Sequence, residues 1–485
     1  PGGRENSVTC ANRKVVGDYR SQFDGWTQQD NGADMVELVN TTRTKEIEQH
    51  RKKFEKFERT AEQPSWLLAR RRAGMARFAE VGFPTLQDED WRFTNLAALA
   101  KLPFKPVLAA DLSGITAQVV RGLTFGKLPA VRMVFVDGHY AAELSSGDSQ
   151  PEGAQITSLA TALSAGSALL ERHLGRYADG SRQPFTALND AFFQDGGFIH
   201  LGPGVALETP IHLLFISTAR EAGATTHPRN LILAEPGSRA TVLESYLSLG
   251  PAAHFTNGVT EVVAGDNTRI EHCKFQDENL AAFHMAALHA DLGRGSHFAS
   301  HSIVTGGKLS RNNIRLRLAG EGAECLLNGL YVTRGDQLAD HHMVVEHVEP
   351  HCNSHEYYNG ILDGRSKGVF HGRIYVHQAA QKTDAKQTNK NLLLSEDATI
   401  DTKPQLEIYA DDVKCTHGAT VGQLNEDSIF YLRARGISAP TARRMLIHAF
   451  AGEIIERIQH EGAREELDRL IWDRLEANPH VSEIQ

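Results

Sequence analysis

The region from about Gly197 to Gln423 most constrains the fold, because it consists of short, apolar, β-branched strands punctuated by glycine and aspartate turns. The first three similar turns begin at Ala264, Leu292 and Ala319, a spacing of roughly 27 to 29 residues that is typical of repeat proteins. No helix-length periodic stretch separates the strands. The pattern predicts a solenoid or β-helix, and a sandwich or double-stranded barrel fits the periodicity equally well.

Helical patterns flank this region on both sides. Residues 35–110 and 155–190 read as mainly helical, with a buried strand at 131–137 between them. We therefore predict four segments: a disordered extension over 1–34, a helical N-terminal domain over 35–190, a β-helix core over 191–424 and a helical C-terminal region over 425–485. Met35 is a candidate natural start.

The C-terminal helical region begins near Gln423, with Asn425 or Asp427 as its N-cap. An apolar stripe continues along two helices that we expect Gly462 to separate. The stripe packs on the end of the solenoid or docks a partner protein, and both interpretations stay open.

Charge and cysteine usage exclude several classes of protein. The net charge of −9 argues against a general binder of nucleic acid or anionic membranes, since these carry basic surfaces. The sequence has no uninterrupted run of about 18 apolar residues, so we predict no transmembrane helix. The five cysteines are few, odd in number and widely spread, which fits a reducing, cytoplasmic location better than a disulfide framework.

The segment around Cys415 and His417 is the first candidate site. In a strand, side chains two residues apart lie on the same face, so this thiol and imidazole could share an iron atom or the edge of a cluster. A Cys–His nucleophile pair is a second interpretation. A small buried thiol beside a satisfied histidine is the third.

A second candidate is the segment from Asp340 to Glu356, which holds five histidines, one cysteine and several carboxylates. Its spacing matches no zinc motif, so a histidine-rich solvated or ladder surface competes with a metal site. The run from Val304 to Ser310 superficially resembles a phosphate-binding loop. It lacks the first glycine, and Leu309 replaces the Ser or Thr that coordinates magnesium, so we expect no nucleotide to bind this chain.

The C-terminal third carries long motifs that resemble the SufB/SufD family of iron–sulfur cluster assembly proteins. These motifs are Gly368-Val-Phe-His-Gly-Arg-Ile-Tyr-Val, Gln387-Thr-Asn-Lys-Asn, Thr402-Lys-Pro-Gln-Leu-Glu-Ile-Tyr-Ala followed by the Cys415–His417 segment, and Phe430-Tyr-Leu-Arg-Ala-Arg-Gly-Ile. The helical N-terminal region, with Asp90-Trp-Arg-Phe-Thr, is similar to the SufD branch in particular.

The resemblance implies a mainly β fold, a right-handed parallel β-helix flanked by helical regions. It implies a cytoplasmic, non-catalytic scaffold subunit in a complex of one SufB, one SufD and two SufC ATPases, with a homodimer as the form without SufB. The β-helices pair edge to edge, with a transient iron–sulfur cluster at the seam. By this resemblance His417 is a candidate cluster ligand with Cys415 beside it. The residues implied in SufC binding are Phe430, Tyr431, Arg433, Arg435 and Gly436.

Two other functions compete with this interpretation. A β-helix carbohydrate enzyme would need a carboxylate pair in a groove, and Asp411 and Asp412 are adjacent, which would place them on opposite faces of a strand. The chain could also be the principal scaffold, SufB, although it lacks a cysteine-rich N-terminal motif. The sequence leaves open whether this subunit itself binds iron, a reduced flavin or neither.

Overall fold

The computed structural model describes residues 46–59, 63–146, 152–181 and 183–476. The predicted disordered extension over 1–34 and the candidate start at Met35 lie outside these ranges. Within the segment predicted to be helical, residues 46–59 form a helix with Phe54 and Phe57 buried on one face.

The helices fall into two groups, one before and one after the strands. Helix α1 covers residues 46–59, and it is followed by α2 (Ser65–Val81), α3 (Ala97–Ala100), α4 (Ala117–Gly122), α5 (Leu159–Ser164), α6 (Ala168–His173), α7 (Pro184–Phe192), α8 (Glu426–Ala434), α9 (Ala439–Ile455) and α10 (Glu461–Glu476). Short 3₁₀ turns occupy Glu89–Trp91 and Ala142–Leu144.

The strands form two large sheets. In chain order they are β1 (Lys105–Pro106), β2 (Val131–Val136), β3 (His139–Tyr140), β4 (Ala154–Ser158), β5 (Gly197–Leu201), β6 (Ile211–Ser217), β7 (Ala224–Thr226), β8 (Arg229–Ala234), β9 (Arg239–Ser248), β10 (Phe255–Ala264), β11 (Arg269–Asp277), β12 (Phe283–Leu292), β13 (His297–Val304), β14 (Leu309–Leu318), β15 (Glu324–Thr333), β16 (Leu338–His347), β17 (Asn353–Leu362), β18 (Lys367–Val376), β19 (Asp384–Leu393), β20 (Thr399–Ile408) and β21 (Lys414–Gly422).

From β8 onward, consecutive strands alternate between the two sheets. Sheet A runs β8-β10-β12-β14-β16-β18-β20, and sheet B runs β9-β11-β13-β15-β17-β19-β21, with every neighbouring pair parallel. With β5 and β6 as the first turn, the chain completes about eight turns of a parallel β-solenoid. This confirms the predicted solenoid and rules out a sandwich or double-stranded barrel.

The turns and the core explain why this sequence folds into a solenoid. Gly237, Gly295 and Gly322 occupy equivalent turns from sheet A to sheet B, with φ of 76°, 62° and 69°, a conformation that favours glycine. Between the turns, alternate side chains of both sheets point inward and stack from turn to turn. The resulting core cluster includes Ile232 and Phe370, both fully buried.

The two ends of the solenoid differ. At the N-terminal end, β2 pairs in parallel with β6 and β4 pairs in antiparallel fashion with β5, so both sheets continue past the first turn. At the C-terminal end, β20 pairs only with β18 and β21 pairs only with β19 within the described residues. The solenoid therefore ends in two strand edges with no covering strand.

Helices α9 and α10 pack on the outer face of sheet B. Their apolar stripe, which includes Ile447, Ile454 and Leu467, joins one buried cluster with sheet residues, so most of it stabilises the chain's own solenoid. Gly462 does not separate the helices as we expected. It is the second residue of α10 and lies so close to Leu128 that an added Cβ would be 2.6 Å from that side chain.

Candidate functional site

The last turn of the solenoid holds the first candidate site. Strand β21, which carries Cys415 and His417, is the terminal strand of sheet B and is exposed along most of its length. Strand β20 is the terminal strand of sheet A and is half-buried. The thiol and imidazole therefore lie on an open strand edge.

The backbone of β21 leaves hydrogen-bonding groups available along this edge. The Lys414 N–H donates to the Thr383 carbonyl at 2.8 Å, towards β19. Because backbone groups alternate sides along a strand, the N–H and C=O groups of Cys415, His417 and Ala419 point away from β19. Unpaired groups of this kind are a template for another strand.

The edge of sheet A is interrupted by a proline. The Thr399 N–H donates to the Ser366 carbonyl at 3.0 Å, which places the outward groups at the even positions of β20. Pro404 is one of these positions, where its missing N–H breaks no bond within the solenoid. The continuous free edge is therefore that of β21.

Cys415 faces the inside of the last turn. It packs against an apolar cluster that includes Ile374, Val376 and Ala385, the last of which is its register partner on β19. Burial, with a smaller contribution from Asp384, raises the pKa of the Cys415 thiol above its ordinary value. The thiol is therefore mainly protonated at neutral pH until a metal or a new cationic neighbour displaces the proton.

His417 continues a polar column inside the solenoid. Its register partner is the buried Gln387, whose side-chain amide donates to Glu356 at 2.7 Å. Burial raises the pKa of the Glu356 carboxyl to about 7. The imidazole of His417 thus lies at the exposed end of a buried polar column.

The other described cysteines cannot serve this site. Cys273, Cys325 and Cys352 are buried, and burial raises the pKa of each thiol. Cys415 is the accessible one among the four free cysteines of the described residues. Within the part of the chain that the structure describes, Cys415 is therefore the one thiol available to a ligand set at this site.

Helix α8 follows β21 after three residues and is capped as predicted by Asn425, whose side chain accepts the Ser428 N–H. Phe430 and Tyr431 are 72% and 57% exposed, an unusual exposure for two adjacent aromatic rings. Arg435 donates to the Tyr431 hydroxyl at 2.9 Å.

The remaining two residues implied in partner binding lie at the same end of α8. Arg433 is exposed on the last turn of the helix. Gly436, with φ of 86°, ends the helix. The structure therefore brings all five predicted partner-binding residues onto one exposed helix and its end.

The histidine-rich segment does not form one site. His341 and His347 point into the solenoid, where they are buried, whereas His355 lies half-exposed on the outer face of sheet B. His342 lies on the outer face of sheet A, beside His371 and Asp90. Sequence reasoning missed this last grouping, because only the register between strands reveals it.

The features that suggested other enzymes lie in turns. Asp411 and Asp412 precede β21 in an exposed bend, and Asp412 pairs with Lys382. The glycine-rich run after Val304 connects β13 to β14, and a strand rather than a helix follows it. None of the described helices is long and apolar enough to span a bilayer.

The fold and the site define a class of protein: a parallel β-solenoid with an open terminal turn that carries a thiol and an imidazole. Family models for the core domain of SufBD proteins of the SUF iron–sulfur cluster assembly system and for the SufBD N-terminal region match residues 215–450 and 43–213. The chain therefore belongs to the SufBD family of iron–sulfur cluster assembly proteins.

Individual relatives agree with this assignment. The chain is 33% identical to the iron–sulfur cluster assembly protein SufD of Escherichia coli, over 83% of this chain and 91% of that protein. It is 32% identical to an iron–sulfur cluster assembly SufBD family protein of Synechocystis, over 81% and 88% of the two chains. SufD of Bacillus subtilis is 26% identical to this chain, over 86% of this chain and 95% of that protein. The chain is thus a SufD homologue.

Proposed function

We propose that this chain is a non-catalytic, cytoplasmic scaffold subunit that pairs through its last solenoid turn with SufB and holds a nascent iron–sulfur cluster at the seam. The observation that carries the proposal is the free edge of β21, with Cys415 and His417 on its inward face. Pairing of a second solenoid along this edge would extend both interiors across the seam. The imidazole of His417 would then meet thiolates from the partner.

His417 is the ligand that this chain contributes to the cluster, which is cargo rather than a resident cofactor. Imidazole replaces thiolate at some iron–sulfur centres, and His417 has no hydrogen-bond or ion-pair partner among the described side chains that would occupy its ring. The thiol of Cys415 lies two residues away on the same face. Its burial keeps it protonated until iron arrives, so it is the weaker ligand.

The test of this assignment is His417→Ala in the complex with SufB and SufC. We expect the same yield of complex and a fall in cluster content of about tenfold or more after anaerobic assembly, measured by absorption and by iron and sulfide analysis. His355→Ala, which removes a half-exposed histidine from the outer face of the same sheet, is the matched control. Full cluster content in the His417 variant would overturn the assignment.

Helix α8 is the docking surface for the SufC ATPase. Exposed, adjacent aromatic rings beside arginines are the composition of binding hot spots, and Phe430, Tyr431 and Arg435 supply them. Residues 423–425 connect this helix directly to β21. Movement of a docked ATPase would therefore act on the strand that carries the cluster ligand.

Replacing Phe430 and Tyr431 together with alanine should weaken SufC binding by on the order of 100-fold, because each ring is a candidate hot spot. Calorimetric titration of the isolated chain with SufC measures the loss. Leu280→Ala is the control, since this leucine is 53% exposed on the solenoid. Unchanged affinity of the double variant would place the ATPase elsewhere.

A further inference from the structure

Three potential metal ligands meet on the outer face of sheet A, away from the strand that carries Cys415 and His417. Parallel pairing of β16 with β18 places His342 beside His371, with ring centroids 4.2 Å apart. Asp90, from the 3₁₀ turn after α2, reaches over them, and its Oδ1 lies 3.7 Å from Nε2 of His342. One ligand atom from each residue lies within 4.8 Å of the others.

The two imidazoles are held in place by their surroundings. Both histidines are only 8% exposed. Nε2 of His371 lies 3.4 Å from the side-chain oxygen of Gln405, a long hydrogen bond in which the ring nitrogen donates. A metal-binding histidine commonly donates its second ring nitrogen in this way.

The rings are neutral and can therefore offer lone pairs. Burial lowers the pKa of His342 well below its usual range, and Arg311 and Arg315 lower it further. Burial also lowers the pKa of His371, with Lys403 adding to the effect. A metal ion would not have to displace a proton from either ring at neutral pH.

The neighbouring cations are largely neutralised. Arg311 pairs with the buried Asp340 and stacks on Trp91, with its guanidinium carbon 3.8 Å from the ring centroid. Lys403 pairs with Glu89 at 2.8 Å. Arg315 is exposed to solvent on β14, and its charge acts on His342. The carboxylate of Asp90 is 65% exposed and lies on the solvent side of the rings, where an ion would enter.

We propose that Asp90, His342 and His371 form a mononuclear site for a first-row divalent metal ion such as Fe²⁺ or Zn²⁺. Two imidazoles and one carboxylate with open positions beside them are a ligand set that these ions favour. The three residues come from the N-terminal region and from two solenoid strands. Binding of the ion would therefore also fasten the Glu89–Trp91 turn to the sheet.

The experiment uses the full chain, stripped with a chelator and titrated with Co²⁺ under anaerobic conditions. We expect one equivalent to bind with visible d–d absorption. His342→Gln, His371→Gln and Asp90→Asn should each weaken binding by about tenfold or more. His355→Gln should bind as the parent chain does, because His355 lies on the outer face of sheet B and is not among the three.

A thermal melt with Zn²⁺ separates metal binding from a purely structural role. The parent chain should melt at a higher temperature with Zn²⁺ than without it, because a ligand that binds only the folded state stabilises that state. The three variants should lose this increment even where their metal-free melts are unchanged. The proposal is overturned if the parent chain binds no Co²⁺, if the three variants bind it normally, or if His417→Ala alone abolishes binding.

Discussion

Replacing Glu261 with alanine should destabilise this protein by about 3–5 kcal/mol, because it breaks a buried ion pair and leaves Arg229 with Asp190 as its remaining carboxylate partner. Glu261, on β10, and Arg229, on β8, have fully buried side chains, and the guanidinium donates to the carboxylate at 2.7 Å. The same carboxylate accepts the backbone N–H groups of Gly175, Tyr177 and Ala178. It therefore fastens the segment after α6 to sheet A.

The charge on Glu261 is maintained by these contacts. Burial alone would raise its pKa, but Arg229 and the three N–H groups outweigh burial and lower the pKa below its ordinary value. The ionised Glu261 carboxylate therefore stabilises the folded chain fully when the pH is above the pKa of glutamate in an unfolded chain. This contribution to the free energy of unfolding is lost as the pH falls through the lower pKa that Glu261 has in the folded chain.

Urea unfolding at neutral pH measures the effect, which should appear as a lower midpoint for Glu261→Ala. Asp336→Ala serves as the control, because Asp336 also pairs with an arginine but is exposed on the surface. Its midpoint should stay close to that of the parent chain. Equal midpoints for the Glu261 variant and the parent would show that the buried pair does not hold the segment.

The second large effect is expected at the free edge. Ala419→Pro removes an N–H that points away from β19, so the solenoid keeps its own hydrogen bonds while an incoming strand loses one. The proline ring also obstructs close approach of that strand. We expect affinity for SufB to fall by on the order of 10- to 100-fold, measured by pull-down and by calorimetry.

Ala419→Val is the matched control, since valine adds bulk at the same position, keeps the N–H and favours a strand. Its affinity for SufB should match that of the parent chain. Thermal melts of both isolated variants check that the fold is intact. Normal SufB binding by a folded proline variant would show that this edge is not the interface.

Much of the fold could be predicted from particular residues. Glycine turns between β-branched runs predict a turn-rich β core, although they do not separate a solenoid from a sandwich or barrel. The helical spacing of Phe54 and Phe57 predicts α1, and Asn425 is one of the two residues predicted to start α8. These are local signals. The placement of Cys415 and His417 two residues apart on a strand was local as well, so their shared face could be expected.

Contacts between turns could not be predicted, because they depend on register. Arg229 and Glu261 meet only because β8 and β10 pair in one particular alignment. Asp90 and His371 are far apart in sequence and meet only when an N-terminal turn folds over β18. The exposure of the last turn was also hidden, since an edge strand and an inner strand of a solenoid share the same alternating pattern.

Residue-resolved hydrogen exchange of the β21 amides, with and without SufB, shows whether SufB pairs along this edge. The amides of Cys415, His417 and Ala419 should exchange quickly in the isolated monomer, because their N–H groups have no strand beside them. They should become protected on addition of SufB, while the exposed surface of α8 does not change. Protection of these amides in the isolated monomer, or rapid exchange that persists in the complex, would show that β21 is not a free edge that SufB covers.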